Sequence, residues 1–150
     1  MKKIIIAIDQ NKSADKVISV GYEIAQKLNA EIILLHVINE AAYYAADYSP
    51  LTGFEGAYSE ATAELINDIE KGASAFLDNL QRKINDPLVK TALRQGDSAE
   101  AIVEFATEQQ ADLIVMGTHR HHGIENVFLP DVAVHVLKHA STPLLTVPTG

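Results

Sequence analysis

The feature that most constrains the fold is a series of short apolar runs separated by segments of helical spacing. Ile4–Ile8 and Ile32–Val37 contain no Asp, Glu, Lys or Arg, and neither do Leu113–Met116 and Leu144–Val147. Uninterrupted apolar strands are typical of a parallel sheet, in which both faces of each strand are buried. A fifth run, Leu88–Leu93, alternates more and includes a lysine, which predicts an edge strand.

Helical spacing fills the intervals between these runs, because apolar residues recur there every three or four positions. The predicted helices cover residues 13–28, 59–85 and 97–110, and a last segment that Pro130 opens and Ser141 closes. The third of them begins at Asp97, three residues before Glu100, which is the spacing of a capping box. Strands that alternate with helices predict an α/β fold with a parallel sheet and helices on both faces.

Length and composition limit the classes of function. A chain of 150 residues predicts one domain, spanning residues 1–150. The net charge of −8 disfavours nucleic-acid binding, and no apolar run is long enough for membrane insertion. The sequence has no cysteine, so thiolate metal sites and cysteine nucleophiles are excluded. We therefore expect a cytoplasmic protein.

Residues 39–58 break the periodic pattern. They include every tyrosine of the chain except Tyr22, together with Phe54 and Pro50. A long aperiodic stretch within a compact domain is usually a functional loop or a packed cover. We predict that it covers the carboxyl ends of the first two strands and opens more easily than the helices.

Several motifs, in order and along the whole chain, resemble the universal stress protein family of small, single-domain, UspA-like members. They are Ile6–Asp9, Leu34–Val37, Gly96–Asp97, Val115–Gly117, Gly123 and the ending Val136–Val147. The resemblance implies a flavodoxin-like, adenine-nucleotide alpha-hydrolase-like sandwich with a five-stranded sheet of order 3-2-1-4-5. It also implies a homodimer.

The last strand supports the dimer independently of the resemblance. In that strand order it lies at an edge, and Leu144, Leu145 and Val147 give it an uncharged surface. An exposed apolar edge favours pairing with a second chain. A two-fold partner strand would cover it.

Family members that bind ATP carry the motif G-x2-G-x9-G-[ST] in the loop that follows the fourth strand. This chain keeps Gly117 but has Arg120, Pro130 and Asp131 at the other motif positions. Proline offers no N–H to a phosphate, and aspartate repels one, although Arg120 could supply a contact of its own. The ATP motif is therefore degenerate.

A remnant of the nucleotide site remains in the sequence. The positions that the resemblance assigns to it are Ile8, Asp9, Val37, Met116, Gly117, His119, Arg120, Gly123 and Asp131. An adenine or ribose pocket could survive there in part. We therefore expect no cofactor, with ATP or another nucleotide as the alternative that the resemblance indicates.

Most of the histidines lie between residues 119 and 139. His119, His121 and His122 crowd one loop, whereas His135 and His139 fall four residues apart on a predicted helix. Such a pair can bind Zn²⁺ or Ni²⁺, but a third ligand would have to come from elsewhere. The pattern favours surface histidines over a metal site, with a pH-sensitive or anion-binding loop as the remaining alternative.

No catalytic residue is predicted, because the sequence has no nucleophile elbow, P-loop or Ser-His-Asp order. His36 lies in a buried strand and is expected to be a satisfied core or strand-end residue. The leading hypothesis is a dimeric, non-catalytic stress-response regulator that acts through contacts with an unidentified protein or through a modified ligand pocket. The alternative is an ATP- or other nucleotide-binding regulator with at most slow hydrolysis.

Overall fold

A computed structural model describes residues 1–39, 60–119 and 132–149 and shows strands and helices in strict alternation. The elements are β1 (Lys3–Ala7), α1 (Ala14–Leu28), β2 (Glu31–Asn39), α2 (Glu60–Ile84), β3 (Val89–Gly96), α3 (Ser98–Glu108), β4 (Leu113–His119), α4 (Val132–His139) and β5 (Leu144–Thr149). The strands form one parallel sheet of order β3-β2-β1-β4-β5. The predicted fold and strand order are confirmed.

The sheet is buried on both faces, which explains the uninterrupted apolar runs. Ile4, Ile6 and Leu34 pack with residues of α1 and α2, whereas Ile5 and Leu35 pack on the opposite face with residues of α3 and α4. Since consecutive side chains of a strand point to opposite faces, both sets must be apolar. None of the helices that the structure describes combines the length and the hydropathy needed to cross a membrane.

The predicted start of α3 is confirmed in atomic detail. Gly96 has a φ of 126°, a conformation that L side chains rarely adopt, and it turns the chain out of β3. The Asp97 side chain then accepts a hydrogen bond of 3.0 Å from the backbone N–H of Glu100. This bond satisfies one of the free donors of the first helical turn.

Several predicted boundaries were wrong by a few residues. We expected β4 to end at Gly117 and β5 at Val147, but both strands continue, because Thr118 pairs with Pro148 and His119 with Thr149. Hydrogen bonding to the neighbouring strand thus outweighs the polar character of this segment. β3 also continues beyond the predicted Leu93, to Gly96, and α3 ends at Glu108 rather than Gln110, whose φ is 51°.

Candidate functional site

The sheet has a crevice at the carboxyl end of its central strand. Ala7, the last residue of β1, is in register with Leu35 of β2 and Met116 of β4. β2 continues for four further residues, to Asn39, and β4 continues to His119. The two neighbours therefore extend past β1, at the point where the strand order reverses, which is where open α/β sheets bind ligands.

The predicted site residues of β1, β2 and β4 converge on this crevice. Ile8, Val37 and Met116 are buried, with exposed fractions of 5%, 8% and 5%. Their side chains belong to the core, so a ligand would meet mainly the backbone at these positions. Asp9 is exposed and lies two residues beyond the end of β1, where the chain leaves the sheet at the mouth of the crevice.

The backbone of Val37 is unusual for a residue within a sheet. Ile8 N–H donates to the Leu35 carbonyl over 2.9 Å, and this is the last backbone–backbone hydrogen bond between the two chain segments. Alternate residues of β2 direct their backbone groups toward β1, so the next pair to face that side belongs to Val37. Its N–H and C=O hydrogen bond no described residue, and they line the crevice.

The loop that leads from Asp9 into α1 is held by short-range hydrogen bonds. Asn11 N–H donates to the Asp9 carbonyl over 2.8 Å, and the Asn11 side chain accepts from Ser13, through both the backbone N–H and the hydroxyl. An asparagine that bonds two residues ahead stabilises a tight turn. The position of Asp9 is thus fixed from its carboxyl-terminal side.

Gly117 has a packing role of its own. A Cβ atom at this position would lie 3.1 Å from Val17 Cγ2 and 3.3 Å from Thr149 Cγ2. Thr149 is buried and its hydroxyl donates to the Thr118 carbonyl over 2.9 Å, so it cannot easily move away. The glycine therefore permits close packing of α1 and β5 on β4, whether or not a ligand approaches it.

A lysine ammonium lies at the same end of the sheet. Lys16, in the first turns of α1, donates from Nζ to the Pro148 carbonyl over 2.6 Å. Sequence reasoning did not find this contact, because the two residues are 132 positions apart and no local pattern links them.

The two histidines of α4 stack against each other. The His135 and His139 rings stack with centroids 4.3 Å apart, and His139 Nδ1 donates to the His135 carbonyl over 2.8 Å. The described residues contain no group of three side chains suited to a metal ion. The pair alone would supply two nitrogen ligands, and its weak candidacy as part of a metal site stays a prediction.

Other predicted site residues lie outside what the structure describes. They are Arg120, Gly123 and Asp131, the side chain of His119, and all of the predicted cover except Asn39. Those predictions stay predictions.

Two carboxyl groups with lowered pKa values, Asp112 and Asp86, lie at the opposite end of the sheet. Hydrogen bonds from the backbone N–H groups of Lys2 and Lys3, at 2.7 and 2.9 Å, lower the pKa of Asp112. A hydrogen bond from the Tyr22 hydroxyl lowers the pKa of Asp86, which also accepts from the Leu88 N–H. Both groups connect elements of the fold and are far from the crevice in the strand register.

Comparison with known proteins identifies the class. The model of the universal stress protein family matches residues 1–148, and this chain belongs to that family. The universal stress protein MJ0531 of Methanocaldococcus jannaschii is 35% identical over 150 residues, which cover 97% of this chain and 81% of that protein. MJ0577 from the same organism is 29% identical, covering 97% of this chain and 94% of that protein.

Solved structures agree with this assignment. The structure of MJ0577 superposes with a TM-score of 0.74 at 26% identity, covering 99% of this chain and 96% of that one. UspA from Lactobacillus plantarum gives a TM-score of 0.74 at 21% identity, covering 97% of each chain.

Two of the similar structures contain a nucleotide. A universal stress protein in complex with cAMP has a TM-score of 0.61 at 22% identity, covering 99% of this chain and 98% of that one. The Archaeoglobus fulgidus protein in complex with dAMP has a TM-score of 0.55 at 18% identity, covering 97% of each chain. At these identities the likeness shows the fold.

Proposed function

We propose that this universal stress protein acts by binding rather than turnover, and that the crevice is a modified pocket for an adenine nucleotide with a single phosphate group. The observation that carries the proposal is the backbone of Val37, which hydrogen bonds no described residue on its β1 side and offers one N–H and one C=O side by side. Adenine presents an amino donor beside a ring nitrogen acceptor, so it matches that pair. The Asp9 carboxylate, exposed at the mouth, would accept from the ribose hydroxyl groups.

The proposal excludes tight ATP binding because of the loop sequence. Arg120, Pro130 and Asp131 replace the small motif residues whose backbone amides approach the phosphates. Losing two charged hydrogen bonds, each worth about 1.5–3 kcal/mol, would weaken ATP binding by roughly two or more orders of magnitude. The ligands of the two similar structures, cAMP and dAMP, each carry one phosphate and need no triphosphate cradle.

A second candidate function is an ATP-binding regulator with at most slow hydrolysis, and Arg120 is the residue that favours it. An arginine can bind a phosphate through two parallel hydrogen bonds, which could replace part of the lost cradle. For this candidate, the Arg120 side chain would have to replace the phosphate hydrogen bonds that backbone amides donate in the complete motif.

We propose further that the protein is a single-domain homodimer paired through β5, and that an unidentified protein partner receives its signal. In the register with β4, the backbone groups of Leu144 and Thr146 point away from the sheet. Thr146 is exposed, and the strand carries no charged side chain. The predicted absence of nucleic-acid binding and the cytoplasmic location stay predictions.

The decisive experiment is mass spectrometry of small molecules released when the freshly purified protein is denatured, followed by calorimetry. We expect an adenine mononucleotide, and AMP or cAMP binding at least about tenfold tighter than MgATP binding. Asp9→Asn should weaken AMP binding, whereas Asp97→Asn, a matched change at the start of α3, should not.

Two results would contradict the proposal. Absence of any adenine nucleotide together with no binding of AMP or cAMP would exclude the pocket. Submicromolar MgATP binding would support the second candidate instead. The triple variant Arg120→Gly, Pro130→Gly and Asp131→Ser should gain ATP affinity; a folded triple variant without gain would show that the loop is not the cause.

A further inference from the structure

The ladder of backbone hydrogen bonds between β1 and β2 ends one bond earlier than the parallel register would allow. After the bond from Ile8 N–H to Leu35, the next in a regular parallel ladder would join Val37 N–H to the Ile8 carbonyl. That bond is absent. The Ile8 carbonyl oxygen lies instead 2.9 Å from Nδ1 of the His36 side chain.

The His36 ring is held in a fixed orientation. Its exposed fraction is 7%, and it meets the Phe76 ring edge-on, with centroids 5.7 Å apart and an interplanar angle of 73°. A carbonyl oxygen can only accept, so Nδ1 must carry a proton and donate it. The other ring nitrogen hydrogen bonds no described residue, so the bond to Ile8 is the polar contact that orients the imidazole.

We propose that His36 is a positioning residue for the crevice. By taking the Ile8 carbonyl, it ends the ladder, keeps the Val37 N–H free and turns the Ile8–Asp9 peptide so that Asp9 leaves the plane of the sheet. The role in ending the ladder stands on the geometry alone. Its value for ligand binding rests on the proposed function, because there Val37 and Asp9 contact the nucleotide.

An apolar residue at position 36 would remove the competing donor. The Ile8 carbonyl, left without a partner next to the Val37 N–H, would then accept from it, because a buried unsatisfied carbonyl is costly. β1 would become one hydrogen bond longer, and the backbone pair that faces the ligand would lose its donor.

Two variants with the same side-chain branching, one with a donor and one without, test this hydrogen bond. In His36→Asn the side-chain amide nitrogen takes a position like that of Nδ1 and keeps the donor, whereas His36→Leu has none. Both lose the ring contact with Phe76, so a difference between the two variants cannot come from the loss of the ring. The difference between the two reports the donor.

The direct measurement is the NMR scalar coupling across a hydrogen bond between the Val37 amide nitrogen and the Ile8 carbonyl carbon. We expect no coupling in the wild type or in His36→Asn, and a measurable coupling in His36→Leu. The Val37 amide should also exchange at least about tenfold more slowly in the leucine variant, since it gains a hydrogen bond. AMP affinity should fall about tenfold in His36→Leu and about threefold or less in His36→Asn.

The inference is wrong if the wild type already shows the Val37–Ile8 coupling, or if the asparagine and leucine variants give the same Val37 exchange rate. Should His36→Leu not fold, the wild type still decides, because a Val37 amide as slowly exchanging as that of Leu35 would contradict a free N–H. The coupling needs no ligand. If it behaves as expected while the wild type binds no adenine nucleotide, the proposed function fails and the role of His36 in ending the ladder stands.

Discussion

The two edge strands of the sheet, β3 and β5, differ in the charged side chains that would oppose pairing with a second chain. β3 carries Lys90 and Arg94, which form ion pairs with Glu31 at 2.9 Å and with Glu108 at 3.8 Å. β5 carries no charged side chain. Charges on an edge strand oppose pairing with another strand, because a second copy would bring like charges together. One edge is therefore protected, and the other is left available.

Side-chain hydrogen bonds limit both edge strands, β3 at its start and β5 at its end. Asp86 precedes β3 and accepts from the Tyr22 hydroxyl at 2.7 Å and from the Leu88 N–H at 2.8 Å, so α1 helps to fix where β3 begins. At the other end of β5, Pro148 has no N–H and its carbonyl accepts from Lys16. Among the described residues of β5, the segment from Leu144 to Thr146 is therefore the part open for pairing. The comparison predicts a short, specific dimer interface rather than open-ended association.

The largest effect is expected for a substitution that blocks pairing at the β5 edge and leaves the hydrogen bonds between β5 and β4 intact. The backbone N–H of Thr146 points away from the sheet, so Thr146→Pro removes only a donor to a partner strand. We expect the dimer dissociation constant to rise about 100-fold or more. In a two-fold dimer both chains lose the donor, and the proline ring obstructs the approach of the partner strand. Sedimentation velocity measures it.

The matched control is Thr91→Pro, at an outward-facing position of β3. It should leave the dimer intact. A wild-type chain that sediments as a monomer at micromolar concentration would exclude the β5 dimer, and dissociation by Thr91→Pro would place the interface at the other edge.

The second prediction removes the protection of β3. In the double variant Lys90→Thr and Arg94→Thr, higher oligomers should form at a concentration roughly tenfold lower, because like charges no longer oppose edge pairing. The variant also loses the cation–π contact of Arg94 with Phe105 at 4.6 Å, worth about 0.5–1 kcal/mol of unfolding free energy.

Light scattering against concentration tests this prediction. The double variant Lys27→Gln and Lys83→Gln removes the same charge from the exposed helix surfaces and is the control. If both double variants associate equally, net charge is responsible and β3 has no special protection.

The third prediction is that low pH reduces the amide protection at the start of β3 before that of β5. The hydrogen bond from Tyr22 lowers the pKa of Asp86 below its unfolded value, so the carboxylate stabilises the fold above that unfolded value. The contribution is lost as pH falls through the folded pKa. Between about pH 5 and about pH 3, the Leu88 and Val89 amides should therefore lose protection before that of Leu145.

Tyr22→Phe removes the main cause of the lowered pKa, so the same loss should occur at higher pH, within that window. Hydrogen exchange followed by NMR gives the midpoint for each amide. Equal midpoints for Leu88 and Leu145 in the wild type would show that Asp86 does not stabilise the start of β3 selectively.

Both edges and the strand order could be predicted from the sequence, and the details of pairing could not. The apolar runs fix which segments are buried strands, and the lysine in Leu88–Leu93 marks an edge. The ends of β4 and β5 were wrong, because whether Thr118 and Pro148 pair depends on the neighbouring strand and not on local residue preference.

The sequence could predict which residues lie at the carboxyl end of the sheet, and that they form a ligand site stays a proposal. Asp9, Val37 and Gly117 lie at that end because parallel strands end at the same side of the sheet. His36 was expected to be a satisfied core or strand-end residue, and the structure shows it buried within β2 and hydrogen bonded to Ile8. Its effect on the Val37 N–H could not be foreseen, since it depends on a side-chain rotamer and on the end of β1.

The smallest predicted effect concerns the end of the open edge. Lys16→Met keeps the aliphatic stem and removes the ammonium that hydrogen bonds the Pro148 carbonyl. The freed Pro148 carbonyl becomes an acceptor for the partner strand. The dimer also loses two positive charges, one Lys16 ammonium from each chain. Because exposed hydrogen bonds and ion pairs contribute about 1 kcal/mol or less, the dimer should tighten only about two- to fivefold. Lys12→Met removes the same charge from the preceding loop and should change the dissociation constant less. A weaker dimer in Lys16→Met would mean that the lysine supports pairing, and that the open segment of β5 does not end at Thr146.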